Sequence, residues 1–190
     1  MCIRDRYRWL SPARRHAPLL VFLHEGLGSV SMWKDWPQQV CEAAGCRGLV
    51  YSRHGYGRST PLAAGEKRAA DFMHREAEAV LPALLAALDV DAGRDRPVLF
   101  GHSDGGSIAL LYAARHPAAV AGVVVAAPHI FVETRTVDHI RLARQAYQEG
   151  GLRERLARHH DDVDSAFRGW NDIWLLSLIH ISEPTRQAEI

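Results

Sequence analysis

The chain has 190 residues, of which 47% are hydrophobic and 24% are charged, the balance of an ordinary soluble globular domain. The formal net charge of +1 argues against a nucleic-acid or membrane-surface partner, because either usually requires a clustered excess of Lys and Arg. No apolar run approaches the roughly 20 residues of a transmembrane helix. The three cysteines show neither a disulfide framework nor metal-ligand spacing, so we expect a cytoplasmic protein without metal or cofactor.

The two ends of the chain differ from the rest. Residues 1–6 have neither strand nor helix periodicity. Residues 176–190 come after a helical pattern that ends abruptly at Trp174-Leu175 and do not continue it. Both segments resemble translated sequencing-adaptor DNA, so we predict that they are not native and exclude them from the fold. On this interpretation the native sequence is a fragment that covers residues 7–175.

Short apolar segments alternate with helical patterns along the first two thirds of the chain. Buried strands are predicted at Leu19–Leu23 and at residues 48–52, 97–100 and 120–126. A helix is predicted over residues 69–88, with a kink at Pro82, and another over residues 107–115. Nearly continuous apolar strands that alternate with helices predict a doubly wound, mostly parallel α/β sheet.

After Pro128 the pattern changes to helices alone. Residues 136–148, 152–159 and 162–174 predict three helices with no strand between them. We therefore divide the chain into a core over residues 7–132 and a partial helical cap over residues 133–175. The tryptophans, Trp170 and Trp174 among them, are predicted to pack in the core and cap. The spacing of four between these two on one helix face offers the alternative that they line the substrate pocket.

The motif Gly101-His102-Ser103-Asp104-Gly105 joins a predicted strand to a predicted helix. A G-x-S-x-G turn in this context needs small residues on both sides of the serine, because the strand and helix approach closely. The serine hydroxyl then stands at the helix N-terminus, where the dipole and free N–H groups favour a developing anion. The pattern predicts a nucleophilic serine; the alternative is a Gly-rich turn in which Ser103 only caps the helix.

An oxyanion hole next to Ser103 needs two backbone N–H groups. One is expected from Asp104 and the other from the Gly-rich segment that follows the strand Leu19–Leu23. We predict Gly26 as the second donor, with Leu27 as the alternative. His24 is expected to brace this loop rather than to act in catalysis.

Three segments, in this order and rough spacing, resemble the α/β-hydrolase superfamily: His24-Glu25-Gly26-Leu27-Gly28-Ser29, Arg53-His54-Gly55-Tyr56-Gly57-Arg58-Ser59, and Gly101-His102-Ser103-Asp104-Gly105-Gly106. The resemblance covers nearly all of residues 7–175, and its finer likeness is to capped serine esterases similar to valacyclovir hydrolase. It implies the α/β-hydrolase fold and a chain order of serine, acid and histidine. On that order the C-terminal strands, which precede the acid and the histidine, are missing here.

Candidates for the acid and the base remain within the native part of the chain. Four histidines lie downstream of Ser103 in the native part: His129, His139, His159 and His160. None is followed by a strand framework, so we expect that none is presented to Ser103; His180 lies in the adaptor-like tail. Glu133 stands where some relatives place the acid, but the prediction is that both acid and base lie beyond the fragment and that the fragment is inactive.

Two other motifs are set aside. Gly55-Tyr56-Gly57 begins like a dinucleotide fingerprint, but Thr60 stands where the third glycine belongs. The run His159-His160-Asp161-Asp162 could suggest a metal site, yet adjacent helical residues point in different directions, which favours a solvated polar face.

The leading hypothesis is a hydrolase that cleaves a carboxylic ester of a small-molecule substrate through Ser103 and an acyl-enzyme. Hydrolysis of an amide or of a carbon–carbon bond at the same site is a variant of it. The alternative from another class is a non-catalytic protein of the same fold that binds a ligand or partner. The oligomeric state is left open.

Overall fold

The computed structural model describes residues 6–14, 16–129, 132 and 134–176. The strands are β1 (Tyr7–Leu10), β2 (Leu19–Leu23), β3 (Arg47–Tyr51), β4 (Val98–His102) and β5 (Gly122–Ala126). The helices are α1 (Trp36–Ala43), α2 (Phe72–Arg75), α3 (Leu81–Ala87), α4 (Ala92–Asp95), α5 (Asp104–Arg115), α6 (Thr134–Glu149), α7 (Leu152–Leu156) and α8 (Val163–Leu175). A π-helical turn, Glu76–Val80, joins α2 to α3, and a 3₁₀ turn, Pro117–Ala119, follows α5.

The five strands form one sheet in the order β1-β3-β2-β4-β5. β1 is antiparallel to β3, and every other pair in this sheet is parallel. The carboxyl ends of β2, β4 and β5 therefore meet at one edge, where loops of parallel α/β sheets usually bind ligands. The predicted α/β class with a mostly parallel sheet is confirmed.

Alternating side chains of the strands fill two separate cores, one on each face of the sheet. Val21, Leu49 and Leu99 pack on one face against α3 and α5. Phe22 and Val50 pack on the other face, against residues that include Cys41 of α1. Because the central strands are covered on both sides, they have no polar face, which is why their sequences are continuously apolar.

The structure departs from the predicted elements most clearly at β1 and over residues 69–88. β1 was not predicted, because four residues at the sheet edge carry too little apolar periodicity to be recognised. The single helix predicted over residues 69–88 is divided into α2, the π-helical turn and α3. Pro82 lies in the first turn of α3, where its missing N–H is tolerated, and the chain accommodates the proline by widening the preceding turn.

Helices α6, α7 and α8 follow β5 without an intervening strand and pack against one another. Their apolar faces form two small clusters, one around Trp174 and one around Phe167. The domain boundary at residues 132/133 stays a prediction, and Glu133 lies outside the described residues. Within the described ranges, no helix combines the length and hydrophobicity that crossing a bilayer requires.

Candidate active site

Ser103 stands between the end of β4 and the start of α5 with a left-handed backbone. Its φ is 52° and its ψ is −119°, a conformation that non-glycine residues rarely adopt. The strain is held in place because the Ser103 N–H donates to the Ala126 carbonyl (2.9 Å) and the Ser103 carbonyl accepts from Gly106 (2.8 Å). The hydroxyl is thereby presented at the carboxyl edge of the sheet.

Two glycines allow this turn to close. A Cβ at Gly101 would overlap the carbonyl oxygen of Gly105, and a Cβ at Gly105 would overlap the carbonyl oxygen of Leu23. Both obstacles are backbone atoms, so they cannot move aside as a flexible side chain could. The close approach also brings the N-terminus of α5 against the end of β2, directly beside the loop that begins at His24.

The hydroxyl of Ser103 has an imidazole partner. Its Oγ lies 3.0 Å from Nε2 of His129, three positions after the end of β5. The backbone of His129 is held by Ser107 of α5, whose Oγ donates to the His129 carbonyl and accepts from the His129 N–H, both at 2.9 Å. The ring of Trp174 meets the imidazole edge-on with centroids 4.7 Å apart. The imidazole is therefore fixed in position and direction.

This contact corrects the expectation that no histidine of the chain would be presented to Ser103. The chain order of the superfamily places the histidine after a further strand. β5 itself suffices, because it runs parallel to β4 with Ala126 opposite His102, so the loop after β5 begins next to Ser103. The signal available in the sequence was the position of His129 just after a predicted central strand.

The two predicted oxyanion donors lie on neighbouring segments. Asp104 is the first residue of α5, so its N–H has no acceptor within the helix. Gly26 lies in the loop after β2, in a turn closed by the Gly28 N–H and the Glu25 carbonyl (3.0 Å). The close packing of Gly105 on Leu23 brings these segments together. Their roles in binding an oxyanion stay a prediction.

A buried set of hydrogen bonds braces the loop from below. His24 is fully buried; its Nδ1 donates to the Glu25 carbonyl (2.7 Å) and its Nε2 accepts from the Arg53 N–H (3.0 Å). Arg53 is itself buried, donates to the Glu25 carbonyl (2.9 Å) and lies 3.6 Å from the Asp104 carboxylate. Burial and the charge of Arg53 lower the pKa of His24 well below its ordinary value. The bracing predicted for His24 is confirmed.

His160 connects the helical region to the same loop. Its Nδ1 accepts from the Gly57 N–H (2.8 Å), and its Nε2 donates to the Leu27 carbonyl (2.9 Å). The side chain is only 5% exposed, so the interpretation of residues 159–162 as a solvated polar face is wrong for His160. A ring with one donor and one acceptor nitrogen is the neutral imidazole, and burial lowers its pKa.

A cavity of about 280 Å³ opens above Ser103. Ser103 and His129 form its base, and Ile140, Trp170 and Trp174 form apolar walls. Both tryptophans thus line the cavity, which sequence analysis had treated as the less favoured alternative to packing alone. Both residues also pack in the helical clusters, so for both of them the two interpretations hold.

Residues 18–168 match the sequence profile of the family described as "alpha/beta hydrolase fold". The chain belongs to the α/β-hydrolase family. The match spans the loop after β2, the turn at Ser103 and most of the helices that follow β5. The family and fold predicted from the motifs are therefore confirmed.

Solved structures of other α/β-hydrolases resemble this one. A carboxylesterase structure from the thaumarchaeon Nitrososphaera gargenis is 20% identical, with a TM-score of 0.65, over 96% of this chain and 70% of that one. VinJ is 30% identical, with a TM-score of 0.59, over 90% and 57% of the two chains. A malate-bound esterase from Thermogutta terrifontis is 18% identical, with a TM-score of 0.62, over 96% and 68%.

This α/β-hydrolase chain therefore spans 57% to 70% of the length of these three proteins. None of the curated protein sequences matches it. Two of the three identities fall below the range in which function usually follows from likeness, so those two structures establish the shared fold alone.

Proposed function

We propose that this protein hydrolyses small carboxylic esters through Ser103. The observation that carries the proposal is the strained turn at Ser103 with the Nε2 of His129 at 3.0 Å from its Oγ. A serine hydroxyl becomes a useful nucleophile when a positioned base takes its proton, and this distance is within hydrogen-bond reach. A serine that merely capped α5 would accept a hydrogen bond from the helix backbone through its side chain, and Ser103 makes none.

The proposed reaction has two halves. Ser103 Oγ bonds to the ester carbonyl carbon while its proton passes to His129 Nε2, and the N–H groups of Gly26 and Asp104 stabilise the oxyanion. When the tetrahedral intermediate collapses, the alcohol leaves with that proton and the acyl group stays on Ser103. Water then attacks the acyl carbon and passes a proton to His129. When this second tetrahedral intermediate collapses, the proton passes from His129 to Ser103 Oγ, and the acid is released with the serine restored.

The cavity favours a short acyl group. About 280 Å³ is close to the lower end of small-molecule sites, which start at roughly 300 Å³. Its walls include the rings of Trp170 and Trp174 and the side chain of Ile140, so a small alkyl-containing acyl group gains free energy from burial against them. A reducing, cytoplasmic setting is also part of the proposal, because Cys41 and Cys46 are free thiols that form no disulfide.

A fluorophosphonate probe tests the nucleophile directly, because it bonds to an activated serine in a single step. We expect the full chain to be labelled at Ser103 and Ser103→Ala to be labelled at background level. Ser11→Ala is the matched control, because Ser11 follows β1 at the opposite edge of the sheet and should leave labelling unchanged. Equal labelling of the chain and of Ser103→Ala would refute the proposal.

A further inference from the structure

One hydrogen-bond donor in the cavity above Ser103 is not used by the proposed reaction. It is the indole N–H of Trp170, a half-buried residue of α8 that lines the cavity together with Ser103. The ring is held from behind by an edge-on contact with Phe167, with centroids 5.9 Å apart. The N–H therefore has a defined position rather than a mobile one.

The edge of the ring that carries the N–H lies against the loop after β2. A Cβ at Gly26 would overlap Nε1 and Cδ1 of Trp170 and would lie 3.1 Å from its Cε2. The indole can take this place only because residue 26 has no side chain. The N–H of Trp170 is thus a neighbour of the backbone expected to bind the carbonyl oxygen of the ester.

No acceptor from the protein meets this N–H. Among the described residues, none accepts a hydrogen bond from Trp170 Nε1, whereas His129 and Ser103 in the same cavity are bonded to each other. Trp170 Nε1 is not among the fully buried polar atoms, so this N–H is accessible and free to donate to the oxygen of a ligand in the cavity. The rest of the wall adds further polar groups, from Thr136 and His139 of α6.

We propose that Trp170 is a specificity-determining residue whose indole N–H binds an oxygen of the substrate's acyl group. This inference rests on the proposed function, because Ser103 and Gly26 fix where the ester carbonyl lies. With the carbonyl oxygen at Gly26, the adjacent N–H meets a substituent on the carbon next to the carbonyl. The preferred substrates are then esters of short acids with an oxygen on that carbon, such as alkoxyacetates, over simple alkanoates of the same length.

Binding can be measured separately from turnover by observing the indole N–H itself. The chain has five tryptophans, so a ¹⁵N-labelled Ser103→Ala protein gives few indole signals, and Trp170→Phe in that background identifies the one from Trp170. Ethyl methoxyacetate and ethyl butyrate are the probes, because their acyl groups have equal numbers of heavy atoms. We expect methoxyacetate to move the Trp170 proton signal downfield, and butyrate to move it much less.

The signal of Trp33 is the internal control, because that ring packs with Phe22 and Phe100 in the core on the α1 side of the sheet, and it should not move. A Trp170 signal that stays in place with methoxyacetate, or moves equally with both esters, overturns the proposal. This arm needs no catalysis, so it is independent of whether Ser103 is the nucleophile.

The kinetic arm uses p-nitrophenyl methoxyacetate and butyrate with Ser103 intact. In Trp170→Phe, the ratio of their kcat/KM values should fall roughly threefold to tenfold, since one hydrogen bond is lost for one substrate only. Comparing ratios removes the intrinsic reactivity of each ester and any general loss from the substitution. An unchanged ratio overturns the role of Trp170 alone, whereas turnover that survives in Ser103→Ala overturns the proposed function.

Discussion

The Nε2 of His129 lies 3.0 Å from the Oγ of Ser103, although the two residues are 26 positions apart. The contact exists because β5 pairs with β4 as far as His102 and Ala126, and the chain then returns over Ser103. Ser107 Oγ binds both the N–H and the carbonyl of His129, so the position of the imidazole depends on α5 as well. Ser103 and its imidazole partner are thus held by the same strand–helix unit.

His129→Gln should slow fluorophosphonate labelling of Ser103 by about a hundredfold or more, because general-base assistance is typically worth 10² to 10⁴ (an order-of-magnitude range). The rate is measured from the time course of labelling followed by mass spectrometry. His139→Gln is the matched control, since His139 lines the same cavity and makes no hydrogen bond to Ser103 within the described residues. If His129→Gln is labelled at the normal rate, a group other than His129 accepts the proton of the Ser103 hydroxyl.

The stability of the protein should fall in mildly acidic solution. Burial lowers the pKa values of His24 and His160 below the ordinary value of 6.5, so below that pH the unfolded chain binds protons more readily than the folded one. The free energy of unfolding is then lost as the pH falls from about 7 towards 5, by at most about 1.4 kcal/mol per pH unit for each histidine. Urea unfolding at several pH values measures this.

His160→Asn isolates one of these contributions. The variant should be less stable at pH 7.5, because the bonds to Gly57 and Leu27 change, and its stability should depend less on pH, because one titrating group is gone. His159→Asn leaves the imidazole of His160 and its bonds to Gly57 and Leu27 in place, so this variant should lose less stability at pH 7.5 than His160→Asn. If the free energy of unfolding of His160→Asn changes with pH as steeply as that of the unmodified chain, His160 does not contribute to the pH dependence.

Gly105→Ala should destabilise the protein by more than about 3 kcal/mol, because the new methyl group meets the backbone of Leu23 and neither segment can withdraw. Gly122→Ala is the matched control: it lies at the start of β5, and a Cβ there meets nothing within 4 Å. Its effect should stay within about 0.5 kcal/mol. Thermal unfolding of the two variants gives the comparison, and equal midpoints would contradict the close approach.

Cys41 should resist alkylation in the folded protein. Burial, and the hydrogen bond with Cys46, raise the pKa of its thiol to about 12, so almost no thiolate is present at pH 8. Iodoacetamide labelling followed by peptide mass spectrometry should show slow modification in buffer and rapid modification in urea. Rapid labelling in buffer would mean that the segment between α1 and β3 opens readily.

Much of the fold could be predicted because its signals are local. β2 was predicted with its observed boundaries, since five consecutive apolar residues between Pro18 and His24 admit few other interpretations. The turn at Ser103 was recognisable because its sterics demand small residues at Gly101 and Gly105, and those demands lie within five positions. β1 was missed because its place depends on pairing with β3, which no local pattern encodes.

The sequence by itself therefore determined the class of sheet, the position of the serine and the family, because each depends on residues close together in the chain. Only the tertiary structure decided which groups surround that serine. His129 meets Ser103, His160 binds Leu27 from 133 positions away, and Trp170 takes the space left free by Gly26. Such contacts follow from how strands and helices pack. No local sequence pattern distinguishes a histidine or tryptophan that packing brings to the site from one that it does not.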